Sequence, residues 1–154
     1  MAQFPLLPSI ETGDLAEDVG QLFEELAVAL HPDQRADSGE CHPTLDVVET
    51  DDTVEVTVDV SGVPAEALRV LFRAGVLVVA GEKAPAPAAA PRTFHLVERE
   101  FGRFARAVRL PGAFDLPRSQ VTLRDGELTI VLPKTADRRG QAHRLPITPA
   151  DGPA

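Results

Sequence analysis

The side chains best equipped for chemistry are few and scattered. Cys41 is the only thiol and stands beside His42, while His31, His95 and His143 complete the histidines. None of them shows the paired ligand spacing that zinc requires. Cys41-His42 joins a nucleophile to a base, but both fall in a polar stretch with no third residue to orient the base. The pair reads as an exposed linker thiol. Glycine-rich phosphate loops and a nucleophile-elbow serine are absent from the sequence. The carboxylates at Asp51-Asp52 and Glu24-Glu25 read as turn chemistry and a solvated helix face. Arg99, Arg103, Arg106 and Arg109, with Phe101 and Phe104 among them, have the composition of a single-strand clamp, but acidic residues interleave throughout. The sequence therefore predicts neither an enzyme nor a metal or cofactor site.

Charge sharpens the exclusion and divides the chain. The formal net charge of −9 disfavours nucleic acid as a partner, because neutralising phosphates needs clustered cations. The excess is not spread evenly: residues 1–52 hold 13 acidic residues against one basic residue, Arg35, whereas residues 53–134 hold nine against 11. Three regions with different physics follow: an acidic arm, a nearly neutral centre and a short tail. No apolar run approaches the roughly 20 residues of a membrane span, and the start Met1–Pro5 lacks the basic opening of a secretory signal. With one cysteine and no possible intrachain disulfide, a reduced, cytoplasmic setting is the expectation.

The arm carries one helix signal. Leu15, Val19, Leu22, Phe23, Leu26 and Leu30 recur at helical spacing, Asp14 and Glu17 suit a capped start, and His31-Pro32 is a stop. Before it, Phe4, Leu6, Leu7 and Ile10 form an apolar stretch broken by proline; after it, residues 33–42 read as a polar linker. From Pro43 the period changes to two. Val54, Val56, Val58 and Val60 share one face, and Leu45–Thr50 pairs naturally with them across Asp51-Asp52. Further strands are expected at Leu68–Arg73, Val76–Ala80, Phe104–Leu110 and on both sides of Asp125-Gly126, a strong hairpin signal. Short strands, frequent turns and little helix indicate an all-β sandwich of immunoglobulin type. Lys83–Arg92 interrupts it with a proline-rich stretch of extended geometry, so a strand at Thr93–Glu98 is better placed to pair with a neighbouring chain than with its own sheet.

Residues 43–134 resemble the α-crystallin domain of the small heat-shock proteins. The matching pieces are Val76–Lys83, Glu98–Arg106, Leu110-Pro111 and Asp125–Lys134, in that order. Leu145-Pro146-Ile147 is similar to that family's isoleucine-any-isoleucine/valine tail motif. Two departures stand out: Val121 where the family usually has alanine, and Glu127 where it usually has an apolar residue. The resemblance implies an arm (1–42), a sandwich (43–134) and a flexible tail (135–154). It also implies an ATP-independent holdase that keeps unfolding clients from aggregating; the alternative is a p23-like co-chaperone or adaptor that docks specific partners.

Clients expose apolar surface, so their binding surface should be apolar and hidden at rest. Phe4, Leu6, Leu7, Ile10, Leu15, Val19, Leu22, Phe23 and Leu26 meet that description. By resemblance, Phe94, His95, Leu96 and Val97 cross to a partner's edge at Leu45–Thr50 in a strand-swapped homodimer, with Arg106 near the interface facing a carboxylate. Leu145 and Ile147, held extended by Pro146, enter a groove lined by Val70, Phe72, Val121 and Leu123 of another subunit. Burying two such side chains yields roughly 1.5–3 kcal/mol each, and ordering each tail residue costs about 1–2 kcal/mol. Single contacts are therefore weak, and many of them make an oligomer that still exchanges subunits.

Overall fold

The computed structural model describes residues 13–36, 38–135 and 143–150. In chain order the elements are α1 (Gly13–Ala29), β1 (Leu45–Glu49), β2 (Thr53–Asp59), β3 (Leu68–Arg73), β4 (Val76–Lys83), β5 (Gly102–Arg109), β6 (Gln120–Arg124), β7 (Glu127–Pro133), β8 (His143–Arg144) and β9 (Ile147–Pro149). Short 3₁₀ turns follow α1, precede β3 and precede β6. The strands form a two-sheet β-sandwich with orders β1-β2-β7-β6-β9 and β5-β4-β3-β8.

Alternation builds the larger sheet. Val54, Val56 and Val58 of β2 stand opposite Leu132, Ile130 and Leu128 of β7, and all six are buried. Each pair stacks two apolar side chains on the core face while the intervening residues point outward. Thr50 closes the β1–β2 turn: its hydroxyl accepts from the backbone N–H groups of Asp52 and Thr53 at 3.3 and 3.0 Å. Two other hairpins are two-residue turns with both centres at positive φ, Ala74-Gly75 (52° and 77°) and Asp125-Gly126 (51° and 79°). That is the twist-matched geometry that joins neighbouring antiparallel strands.

The smaller sheet does not alternate between buried and exposed. From Val76 to Glu82 every residue of β4 is buried. Leu77 and Val79 enter the core between the sheets, while Val76, Val78 and Ala80 face the other way and join Leu71, Ala107, Val19 and Leu22 in a second apolar layer. The helix α1 makes that layer, so the molecule stacks helix, sheet and sheet. A strand covered on both faces has no reason to alternate in polarity.

The linker after the helix is docked, which differs from the exposed linker expected from its polarity. Cys41 donates its backbone N–H to the Arg103 carbonyl at 3.1 Å, and its side chain is buried in the main core. Burial pushes the Cys41 thiol above its ordinary pKa; Lys83 opposes this and Glu100 adds to it. The backbone passes so close to Gly102, at φ +131°, that a Cβ there would collide with Gly39. Glu82, 2% exposed, accepts from the Ala36 N–H at 2.9 Å and pairs with Arg35 at 3.8 Å.

Thr93–Glu98, expected as a strand, forms none within the chain. Residues 86–100 are exposed throughout, with Phe94, Leu96 and Val97 at 64%, 75% and 64%. The reason is topological: the proline-rich stretch carries the segment away from every strand edge of its own sheets.

Candidate functional site

Three surfaces bear on function, and each begins with a local sequence choice. The first is the underside of α1. Val19, Leu22, Leu26 and Leu30 are buried, Leu15 and Phe23 are half-buried, and Phe4, Leu6, Leu7 and Ile10 lie outside the described residues. Val19 and Leu22 rest on the outer face of the smaller sheet, whereas Leu26 and Leu30 reach into the main core cluster. Around this apolar seat runs a polar rim. Arg73 binds Asp18 at 2.9 Å, and the guanidinium of Arg103 lies 5.3 Å from the centre of the Phe23 ring. Arg144 grips Glu25 with two hydrogen bonds at 2.7 and 2.6 Å, and Arg69 stands 3.7 Å from the same carboxylate.

The second surface is the groove between β3 and β6, and it is filled. The tail pairs antiparallel with β3 through β8 (Leu71 with Arg144, Phe72 with His143), then parallel with β6 through β9 (Val121 with Ile147, Leu123 with Pro149). Between these strands the Leu145 N–H bonds the Val70 carbonyl at 3.2 Å. Leu145 is buried in the same cluster as Val70, Phe72 and Val121, and Ile147 and Leu123 are half-buried against it. Pro146 is exposed, and its fixed φ keeps its two neighbours extended as the chain passes from one sheet to the other.

In the single chain the tail lies in its own groove. The expected insertion into another subunit's groove concerns an assembly and belongs to the proposal below.

The third surface is the open margin of the larger sheet. Among the described residues β1 has a strand neighbour on one side only, and Val48 is 57% exposed there. Phe94, His95, Leu96 and Val97 are exposed and form no strand pairing with that margin in the single chain. Arg106, expected to face a carboxylate across a dimer interface, donates within the single chain to the Pro43 carbonyl, and its side chain is half-buried. It lies on the core side of β5 with Phe104 and Val108, where a backbone oxygen at the mouth of the sandwich is the acceptor within reach.

Sequence reasoning missed the Arg144–Glu25 pair, the Glu82 tie to the linker and the covered outer face of β4. The uninterrupted apolar run Val76–Ala80 was the available signal for the last of these, since a strand apolar on both sides needs cover on both. Among the described residues no three His, Cys, Asp or Glu side chains cluster as metal ligands would. His31 caps the 3₁₀ turn by accepting from the Asp33 N–H at 3.3 Å.

The described residues thus form a two-sheet β-sandwich with an open sheet margin, an exposed segment at residues 86–100 and a groove filled by a strand-like tail. Sequence comparison then gives the family. A model of the Hsp20/alpha crystallin family matches residues 46–148. Heat shock protein 16 of Schizosaccharomyces pombe is 35% identical over 98 residues, covering 62% of this chain and 68% of that protein. An 18.9 kDa heat shock protein of Oryza sativa subsp. japonica is 38% identical over 91 residues, and there the match spans 58% of this chain and 51% of the relative. Among solved structures, heat shock protein 16.0 from Schizosaccharomyces pombe superposes with a TM-score of 0.59 at 31% identity, covering 66% of this chain and 94% of that one. The chain belongs to the Hsp20/alpha crystallin family of small heat-shock proteins.

Proposed function

We propose that this protein is an ATP-independent holdase, which binds unfolding proteins through apolar surface and keeps them from aggregating under heat or other stress. The observation that carries the reading is the layer between α1 and the smaller sheet. Val19 and Leu22 on one side and Leu71, Val78 and Ala107 on the other are buried together in a cluster separate from the main core. Lifting the helix uncovers two apolar faces at once and withdraws Leu26 and Leu30 from the edge of the main core cluster. Phe4, Leu6, Leu7 and Ile10 extend the client surface in sequence, and the acidic residues of the arm keep a loaded complex in solution.

Self-association follows from the other two surfaces. In this reading the Phe94–Val97 segment crosses to the β1 margin of a second copy, making a homodimer, with His95 and Arg106 at the interface. Leu145-Pro146-Ile147 exchanges between its own groove and a neighbour's, joining dimers into larger assemblies. The arm (1–42), sandwich (43–134) and tail (135–154) are the working units, and a cytoplasmic setting suits the single buried thiol.

The test is to heat an unrelated, aggregation-prone enzyme with the purified chain and no nucleotide, following light scattering and particle size together. Near-stoichiometric suppression is expected. No suppression at several-fold excess refutes the holdase and leaves an adaptor that docks specific partners.

A further inference from the structure

We propose that α1 is the third wall of the tail site, with Glu25 as the residue that recognises Arg144, so that tail and helix hold each other in place. This rests on the tail exchange proposed above and deepens it.

The groove between β3 and β6 accounts for Leu145 and Ile147 but not for the residue before them. Arg144 lies at the end of the β8 pairing, opposite Leu71, whose side chain belongs to the layer under the helix. From there its guanidinium reaches α1 and meets both carboxylate oxygens of Glu25, at 2.6 and 2.7 Å. A two-pronged contact of this kind fixes direction as well as distance, which an ammonium group would not do. The hydrogen bonds from Arg144 also hold the Glu25 carboxyl below its ordinary pKa, although burial acts in the opposite sense. Arg69, on β3, stands 3.7 Å from the same carboxylate and presents it to the groove. Leu26, the next helix residue, belongs to the cluster that includes Leu145.

The site is therefore composite: two sheets supply the groove and the helix supplies an anion at its rim. Any tail that enters, from this chain or a neighbour, carries its own arginine to the helix of the chain that receives it. Tail occupancy then secures the helix over its apolar seat, and tail departure loosens it. Binding linkage makes the effect reciprocal.

The test uses the full chain carrying Arg144→Ala, Leu145→Ala and Ile147→Ala, whose own tail no longer competes. A fluorescein-labelled peptide of residues 143–150 is titrated by anisotropy. Glu25→Gln in the protein is expected to weaken binding roughly fivefold, and Arg144→Ala in the peptide by a similar factor, as suits a half-exposed bidentate pair. The two changes together should cost no more than one alone. Glu24→Gln, an exposed change of equal charge on the same helix, should leave binding unchanged. Multiplying losses, or equal effects of Glu25→Gln and Glu24→Gln, overturn the proposal. A peptide carrying Leu145→Ala and Ile147→Ala that binds as tightly as the natural one overturns the groove reading instead.

Hydrogen exchange supplies the second readout, with protection of β2 and β7 confirming that the sandwich is folded. At matched occupancy the natural peptide should protect the α1 amides more than the Arg144→Ala peptide does. Equal protection also refutes the coupling.

Discussion

Leu71→Ala separates the helix seat from everything else in the molecule. Leu71 is 4% exposed, lies on β3 and contributes to the layer under α1 rather than to the core between the sheets. The substitution leaves every apolar residue of the helix intact, so the client contacts proposed for the arm are all retained, and only one side chain is shortened on the sheet face beneath it. Truncating a buried leucine costs about 2–5 kcal/mol. The helix presses on the site from one side and can settle into part of the space, so the lower end applies, about 2 kcal/mol. At 1.4 kcal/mol per factor of ten, that raises the population with the helix lifted by roughly 30-fold. Hydrogen exchange should show the α1 amides losing protection by that factor while those of β2 and β7 change little. Suppression of heat-induced scattering should then begin at a lower temperature. The reasoning fails if α1 and the central strands lose protection together, since the helix would then be part of one cooperative unit. It also fails if α1 opens and chaperone action does not improve.

Three further outcomes are expected. Leu145→Ala combined with Ile147→Ala should shift particle size toward the dimer by multi-angle light scattering, and an unchanged distribution would remove the tail as a linker. Deleting Arg92–Val97 should give monomers in the same measurement, whereas a persistent dimer would assign the interface elsewhere. The Glu25 contribution to helix seating has a definite sign with pH. Its folded pKa lies below the ordinary 4.5, so the stabilisation is present above that value and is lost as pH falls through the lowered one. Protection of α1, corrected for intrinsic exchange, should be flat from neutrality to about pH 5 and fall below it, and Arg144→Ala should flatten the fall.

Much of the sandwich was legible because half-buried strands write their burial into a period of two. Val54–Val60 and Leu128–Leu132 carry that period, and Asp125-Gly126 announces its own turn type. The covered sheet face was harder to read, since Val76–Ala80 has no alternation and a continuous apolar run does not say what lies on either side of it. Pairing partners were harder still. The residues of the groove are plain in sequence, but nothing in Leu145-Pro146-Ile147 states whose groove it fills, because that depends on tether length and concentration. The fate of Phe94–Val97 is similar: its composition suits a strand, but composition does not say which edge it meets, and within the single chain it pairs with none. Cys41 was misread for a different reason, since the polarity of its neighbours concealed one residue turned inward.

Under the tail exchange proposed above, the number of filled grooves is conserved. Each copy brings one Leu-Pro-Ile segment and one groove that accepts it. A segment that moves to a neighbour fills one groove and vacates another, so rearranging any number of copies leaves the inventory of filled grooves unchanged. Contact energy at the groove then cancels between a closed monomer and a network of any size. What remains to choose among them is protein concentration and the entropy of the tether. Under that exchange, particle size follows protein concentration and temperature without the loss of a net groove contact.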